Sequence, residues 1–73
     1  MKLTVHRASP QHGHETLVME PTDTRELFTE FNIVAVAGQI VKDYSALQAR
    51  VSDLEAEGVT EAEVFVAPKI MGG

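Results

Sequence analysis

The sequence predicts an α+β fold: a mixed sheet of four to five strands, in the order ββαββαβ, packed on one main helix. Three observations carry this expectation. The first seven residues and His14–Glu20 alternate apolar and polar, the signature of strands with one buried face. Two later stretches, from Asp23 and from Ser45, open with capping signals and continue at helical spacing. Ile33–Ala37 and Val64–Ala67 are short, apolar and mostly β-branched or aromatic, as strands are.

Met1–Arg7 places Met1, Leu3, Val5 and Arg7 on one face, and Ser9-Pro10 with Gly13 supplies turn residues before the second strand. Leu17 and Met19 share the core side of that strand, leaving Thr16, Val18 and Glu20 outward, and Pro21 closes it. Asp23 and Glu26 then form a capping box, predicting the main helix from about Asp23 to Phe31, with Leu27, Phe28 and Phe31 on its inner side. Asn32 tolerates the left-handed conformation and is the expected terminator.

The unbroken run Ile33–Ala37 reads as a central strand covered on both faces, and Gly38 turns it into Gln39–Val41. Ser45 and Gln48 form a second capping box. Leu47, Val51 and Leu54 give an amphipathic helix within Tyr44–Glu57, and Gly58 stands at its C-cap. Glu63–Ala67 is the last strand. The predicted core is Leu3, Val5, Leu17, Leu27, Phe31, Val64 and Val66. Phe65 falls on the opposite face, where it is either covered by the second helix or exposed as an anchor for a partner, in the exposed case forming an apolar patch with Val18 and an outward residue of Ile33–Val41.

Composition narrows the function. Seventy-three residues make one small domain, here divided as 1–67 for the folded body and 68–73 for a tail. With 44% hydrophobic residues but only Phe28, Phe31, Phe65 and Tyr44 as aromatics, the core is aliphatic and a large catalytic cavity is not expected. A formal charge of −5 argues against nucleic acid, which needs clustered Lys and Arg, and favours a basic protein surface. The absence of cysteine fits a reducing compartment, so a cytoplasmic location is expected. No apolar run approaches the roughly 18 residues of a membrane span.

The chemistry concentrates in Pro68-Lys69-Ile70-Met71-Gly72-Gly73. Two glycines leave an acyl group unobstructed by side chains. Pro68 ends ladder pairing by removing a donor, and six extended residues reach about 20 Å. Other constellations are weaker. His6, His12 and His14 are close in sequence and could bind a metal or sense pH, but exposed histidines beside a turn need neither role. Asp53, Glu55, Glu57, Glu61 and Glu63 read as a solvated face.

The hairpin followed by a capped segment, the stretch Val34-Ala35-Val36-Ala37-Gly38-Gln39-Ile40-Val41, and the strand ending in Gly72-Gly73 together resemble the ubiquitin-like β-grasp family. Within it they resemble the ThiS/MoaD sulfur carriers, whose middle segment is of the "VAVNGEIV" type. The stretch Ser45–Glu57 is longer than the turn or single-turn helix usual there. The resemblance implies a carrier rather than an enzyme, with no bound cofactor. An E1-like, ThiF/MoeB-like enzyme would use ATP to adenylate the Gly73 carboxylate. A sulfur-accepting synthase or a lysine acceptor would follow. Gly72 and Gly73 would carry the activated group, while Phe65, Lys69, Ile70 and Met71 would contact the partner. The alternative is a β-grasp interaction module or subunit whose C-terminus is never activated. Val64–Gly73 is also similar to a strand and turn of riboflavin-biosynthesis reductases, whose nucleotide-binding segments have no counterpart here; that match is read as coincidence or a remote fragment.

Overall fold

The computed structural model describes residues 1–9 and 13–69. They form a five-stranded mixed sheet packed against one main helix. The strands are β1 (Lys2–Ser9), β2 (Gly13–Met19), β3 (Asn32–Val36), β4 (Gln39–Val41) and β5 (Glu61–Pro68). Their spatial order is β2-β1-β5-β3-β4, so the last strand of the chain lies in the middle of the sheet. β5 pairs parallel with β1, matching Val5 with Val64, and antiparallel with β3, matching Val34 with Val66.

The main helix, α1 (Tyr44–Ala56), is the second of the two predicted from sequence. It begins two residues before the predicted cap: Asp43 is the N-cap, accepting the Ala46 N–H at 2.8 Å, so Ser45 and Gln48 are not the capping pair. It ends as expected at Gly58, whose φ of 85° only glycine adopts without strain. There the Gly58 N–H donates to the Glu55 carbonyl and the Val59 N–H to the Leu54 carbonyl, a Schellman arrangement that satisfies two terminal acceptors. Leu47, Val51 and Leu54 are buried against the sheet. Arg50 adds a tether, its Nε and Nη2 donating to the Val36 and Ala37 carbonyls at 3.4 Å.

The predicted main helix from Asp23 to Phe31 is instead a 3-10 helix, Pro21–Leu27. Glu20 is its N-cap, and Asp23 reaches back to the Glu20 N–H rather than starting a helix itself. Thr22, Asp23 and Thr24 are consecutive poor helix formers that compete for backbone hydrogen bonds. Thr24 does so here, its buried hydroxyl donating to the Pro21 carbonyl three residues back at 2.6 Å. Leu27 is buried as predicted, but Phe31 is 67% exposed and leaves the core list. Asn32 is no left-handed terminator; it opens β3 and donates from Nδ2 to the Leu27 carbonyl.

Two further expectations change. Leu17 is 39% exposed because it lies on the edge strand β2, and the core cluster around α1 is built from β1, β3, β4 and β5. β3 is covered on one face only: Val34 and Val36 are buried while Ile33 is exposed. Its apolar run therefore does not mark a strand buried on both sides. The β3–β4 turn uses Ala37 (φ 50°) as well as Gly38 (φ 83°), the two positive φ values of a two-residue hairpin turn matched to strand twist. Leu3, Val5, Leu27, Val64 and Val66 are buried as predicted.

Leu27→Ala should lower stability by about 2–5 kcal/mol through the cavity it leaves, whereas Phe31→Ala should change it by less than about 0.5 kcal/mol. Equal shifts in the two denaturation midpoints would restore Phe31 to the core.

Candidate functional site

Strand alternation places Val64 and Val66 under α1 and turns Phe65 to the other face of the sheet, where no element among the described residues covers it. Phe65 is 50% exposed. Of the two fates open to it in the sequence, the structure assigns exposure. Register places one row across all five strands on this face: Thr16, His6, Phe65, Ala35 and Ile40. At about 4.8 Å per strand, the row is roughly 19 Å long. Beside it run Ala67 and Ile33, paired with each other on β5 and β3. The apolar part of the face is thus Phe65, Ala67, Ala35, Ile33 and Ile40, and Ile40 is 68% exposed.

His6 sets the other flank. Its ring stacks on Phe65 with centroids 4.8 Å apart and planes 20° from parallel. Nδ1 lies 3.5 Å from the Thr16 hydroxyl; Nε2 is enclosed, makes no hydrogen bond and sits 3.5 Å from a Glu63 carboxylate oxygen. This histidine therefore holds an aromatic in place rather than grouping with His14 around an ion. Among the described residues no cluster of three or more His, Cys, Asp or Glu could hold a metal, and His12 lies outside them. Val18 is exposed too, but it lies two strands from Phe65, with Thr4 and Glu63 across its own row, so it is not continuous with the patch.

Two shallow depressions border the face. One, of about 360 Å³, lies between Phe65, Ala67, His6 and His14. The other, of about 350 Å³, lies past Ile33 and Ile40 and is bounded by Phe28, Lys42 and Lys69. Pro68 does not end the pairing as expected: it stands opposite Asn32 as the last residue of β5, and the next N–H, that of Lys69, donates to the Phe31 carbonyl at 2.6 Å. The other predicted tail residues, Ile70, Met71, Gly72 and Gly73, lie outside the described residues. Asp53, Glu55, Glu57, Glu61 and Glu63 are all exposed, as a solvated face requires.

Sequence reasoning found Phe65 by alternation. It expected Val18 and an outward residue of Ile33–Val41 in one patch with Phe65: Ile33, Ala35 and Ile40 do stand there because β5 inserts beside β3, Val18 does not, and Ala67 was not named. Comparison with protein-family models, with curated proteins and with solved structures returns no match. No helix among the described residues is long and apolar enough to cross a membrane.

Phe65→Ala should cost no more than about 1.5 kcal/mol, the scale of a stacked aromatic pair, against about 2–5 kcal/mol for Leu47→Ala on the covered side. A larger loss at Phe65 than at Leu47, measured by denaturant unfolding, would mean that the open face is packed.

Proposed function

We propose that this chain is a β-grasp protein that docks an E1-like adenylating enzyme through the open sheet face and serves as its carrier. The observation that carries the docking half is the uncovered apolar face centred on Phe65. An exposed aromatic supported by a stacked histidine and flanked by isoleucines is the composition of an interface anchor. The five-stranded mixed sheet on one main helix is compatible with a β-grasp, and the order of the chain's motifs resembles the ThiS/MoaD carriers.

The carrier half rests on Gly72 and Gly73. In this reading an oxygen of the Gly73 carboxylate attacks the α-phosphate of ATP, forming an acyl-adenylate and releasing pyrophosphate. A sulfur nucleophile, such as a persulfide on the partner, then attacks the acyl carbon and AMP leaves. Reduction of the persulfide linkage by a thiol frees the thiocarboxylate. Alternatively a lysine amine attacks and gives an isopeptide. The partner supplies the catalytic groups; this chain supplies an acyl carbon without side-chain obstruction. Lys69, Ile70 and Met71 are the residues proposed to contact the partner.

The test combines the purified chain with a ThiF/MoeB-like enzyme, ATP and a sulfur donor, and reads intact mass. The expected result is one oxygen replaced by one sulfur at the C-terminus. Removing Gly73 should abolish it without unfolding, and Phe65→Ala should reduce its rate at limiting enzyme. Binding that depends on Phe65, with no mass change, would leave the interaction module in place of the carrier. Neither binding nor mass change would contradict both halves.

A further inference from the structure

We infer that the groove between Ile33, Ile40 and the two lysines Lys42 and Lys69 is a binding site for an extended, acidic segment of a partner chain that also carries aliphatic side chains. The argument starts from charge. The chain has a net charge of −5, yet two of its six basic residues border this one depression. Four of the acidic residues, Glu55, Glu57, Glu61 and Glu63, lie where α1 ends and β5 begins, while Glu30 and Asp43 adjoin the groove residues Thr29 and Lys42. Lys42 and Lys69 lie where α1 begins and β5 ends, so the lysines face the groove from the opposite end of the molecule. Among the described residues neither lysine has an acidic partner within ion-pair distance. Asp43, next to Lys42, has its carboxylate engaged with the Ala46 N–H at the start of α1.

The floor decides what kind of anion fits. Ile33, Ile40 and Phe28 make it apolar, so a bare phosphate or sulfate would gain nothing from it, whereas a peptide with aliphatic side chains between carboxylates would use both parts. The groove also borders β4, the last strand of the sheet, whose outer edge has no strand partner. An extended segment is the shape that such an edge accepts. Because Ile33 and Ile40 belong to the open face as well, the groove extends that face. The inference needs the face to be open and does not depend on activation of Gly73.

The test uses the full chain and a fluorescein-labelled nonapeptide containing two isoleucines flanked by glutamates, followed by anisotropy and by NMR shift mapping. The expected result is saturable binding that weakens as salt rises, with shifts at Ile33, Ile40, Lys42 and Lys69. Changing the peptide's glutamates to glutamine, or its isoleucines to serine, should weaken binding roughly three- to tenfold, the scale of one or two rim charge pairs or one small apolar contact. The double variant Lys42→Glu/Lys69→Glu, confirmed folded by circular dichroism, should lose binding by about tenfold or more, while Lys2→Glu at the other end should not. The proposal is overturned by equal binding of a lysine-substituted peptide, by binding that survives the double variant, or by shifts confined to β2. It is also overturned by finding that the groove is filled by a second copy of the chain, seen as a dimer that the double variant dissociates and the peptide cannot enter.

Discussion

Everything else in this fold depends on the parallel pairing of β1 with β5. Two hairpins, β1–β2 and β3–β4, form from local sequence, and a two-stranded hairpin alone is marginal in water. β5 enters between them, bonding to β1 on one side and β3 on the other, and turns two hairpins into one sheet. Leu3 and Val5 then lie against Val64 and Val66, all fully or almost fully buried. β4 and β5 run in the same direction with β3 between them, so a tight turn cannot join them. The chain must travel from the β4 edge back to the middle, and α1 with its capped ends makes that crossing while it supplies Leu47, Val51 and Leu54 to the core.

A single helix covers a single face. The other helical segment, shortened to Pro21–Leu27, contributes Leu27 and a buried Thr24 and goes no further across the sheet. The opposite face is therefore left to its own side chains, and these are not the charged set a purely solvated face would carry. Phe65 and Ile40 stand in one row with His6 and Ala35. This asymmetry separates, residue by residue along β5, the side that packs against α1 from the side that stands exposed.

Much of this was legible in the sequence because strand periodicity is rigid. Alternation in Glu63–Ala67 divided Val64 and Val66 from Phe65 without knowledge of the neighbours, and the i, i+4, i+7 spacing of Leu47, Val51 and Leu54 located the helix that packs. What failed was choosing between two capped segments. Both carried capping signals, but Asp23 serves as the N3 partner of the Glu20 cap, and Thr24 takes up the Pro21 carbonyl that an α-helix would use otherwise. Strand pairing was equally hidden. An outward residue of Ile33–Val41 was expected beside Phe65, but alternation alone admitted Val18 as well, which the order β2-β1-β5 puts two strands away, and a β-branched run is compatible with one covered face or two. Lys42 was missed because a lone lysine acquires meaning only when β5 brings Lys69 to the same groove.

The central claim is that the sheet has one face committed to the core and one free for a partner. Carbene footprinting of the chain, alone and with the proposed adenylating partner, tests it most directly. The account predicts strong labelling of Phe65, Ile33 and Ile40 in the free chain, protection of those three in the complex, and no labelling of Val64 or Val66 in either state. Unlabelled Phe65 and Ile40 in the free chain, or protection confined to the α1 side of the molecule, would contradict it.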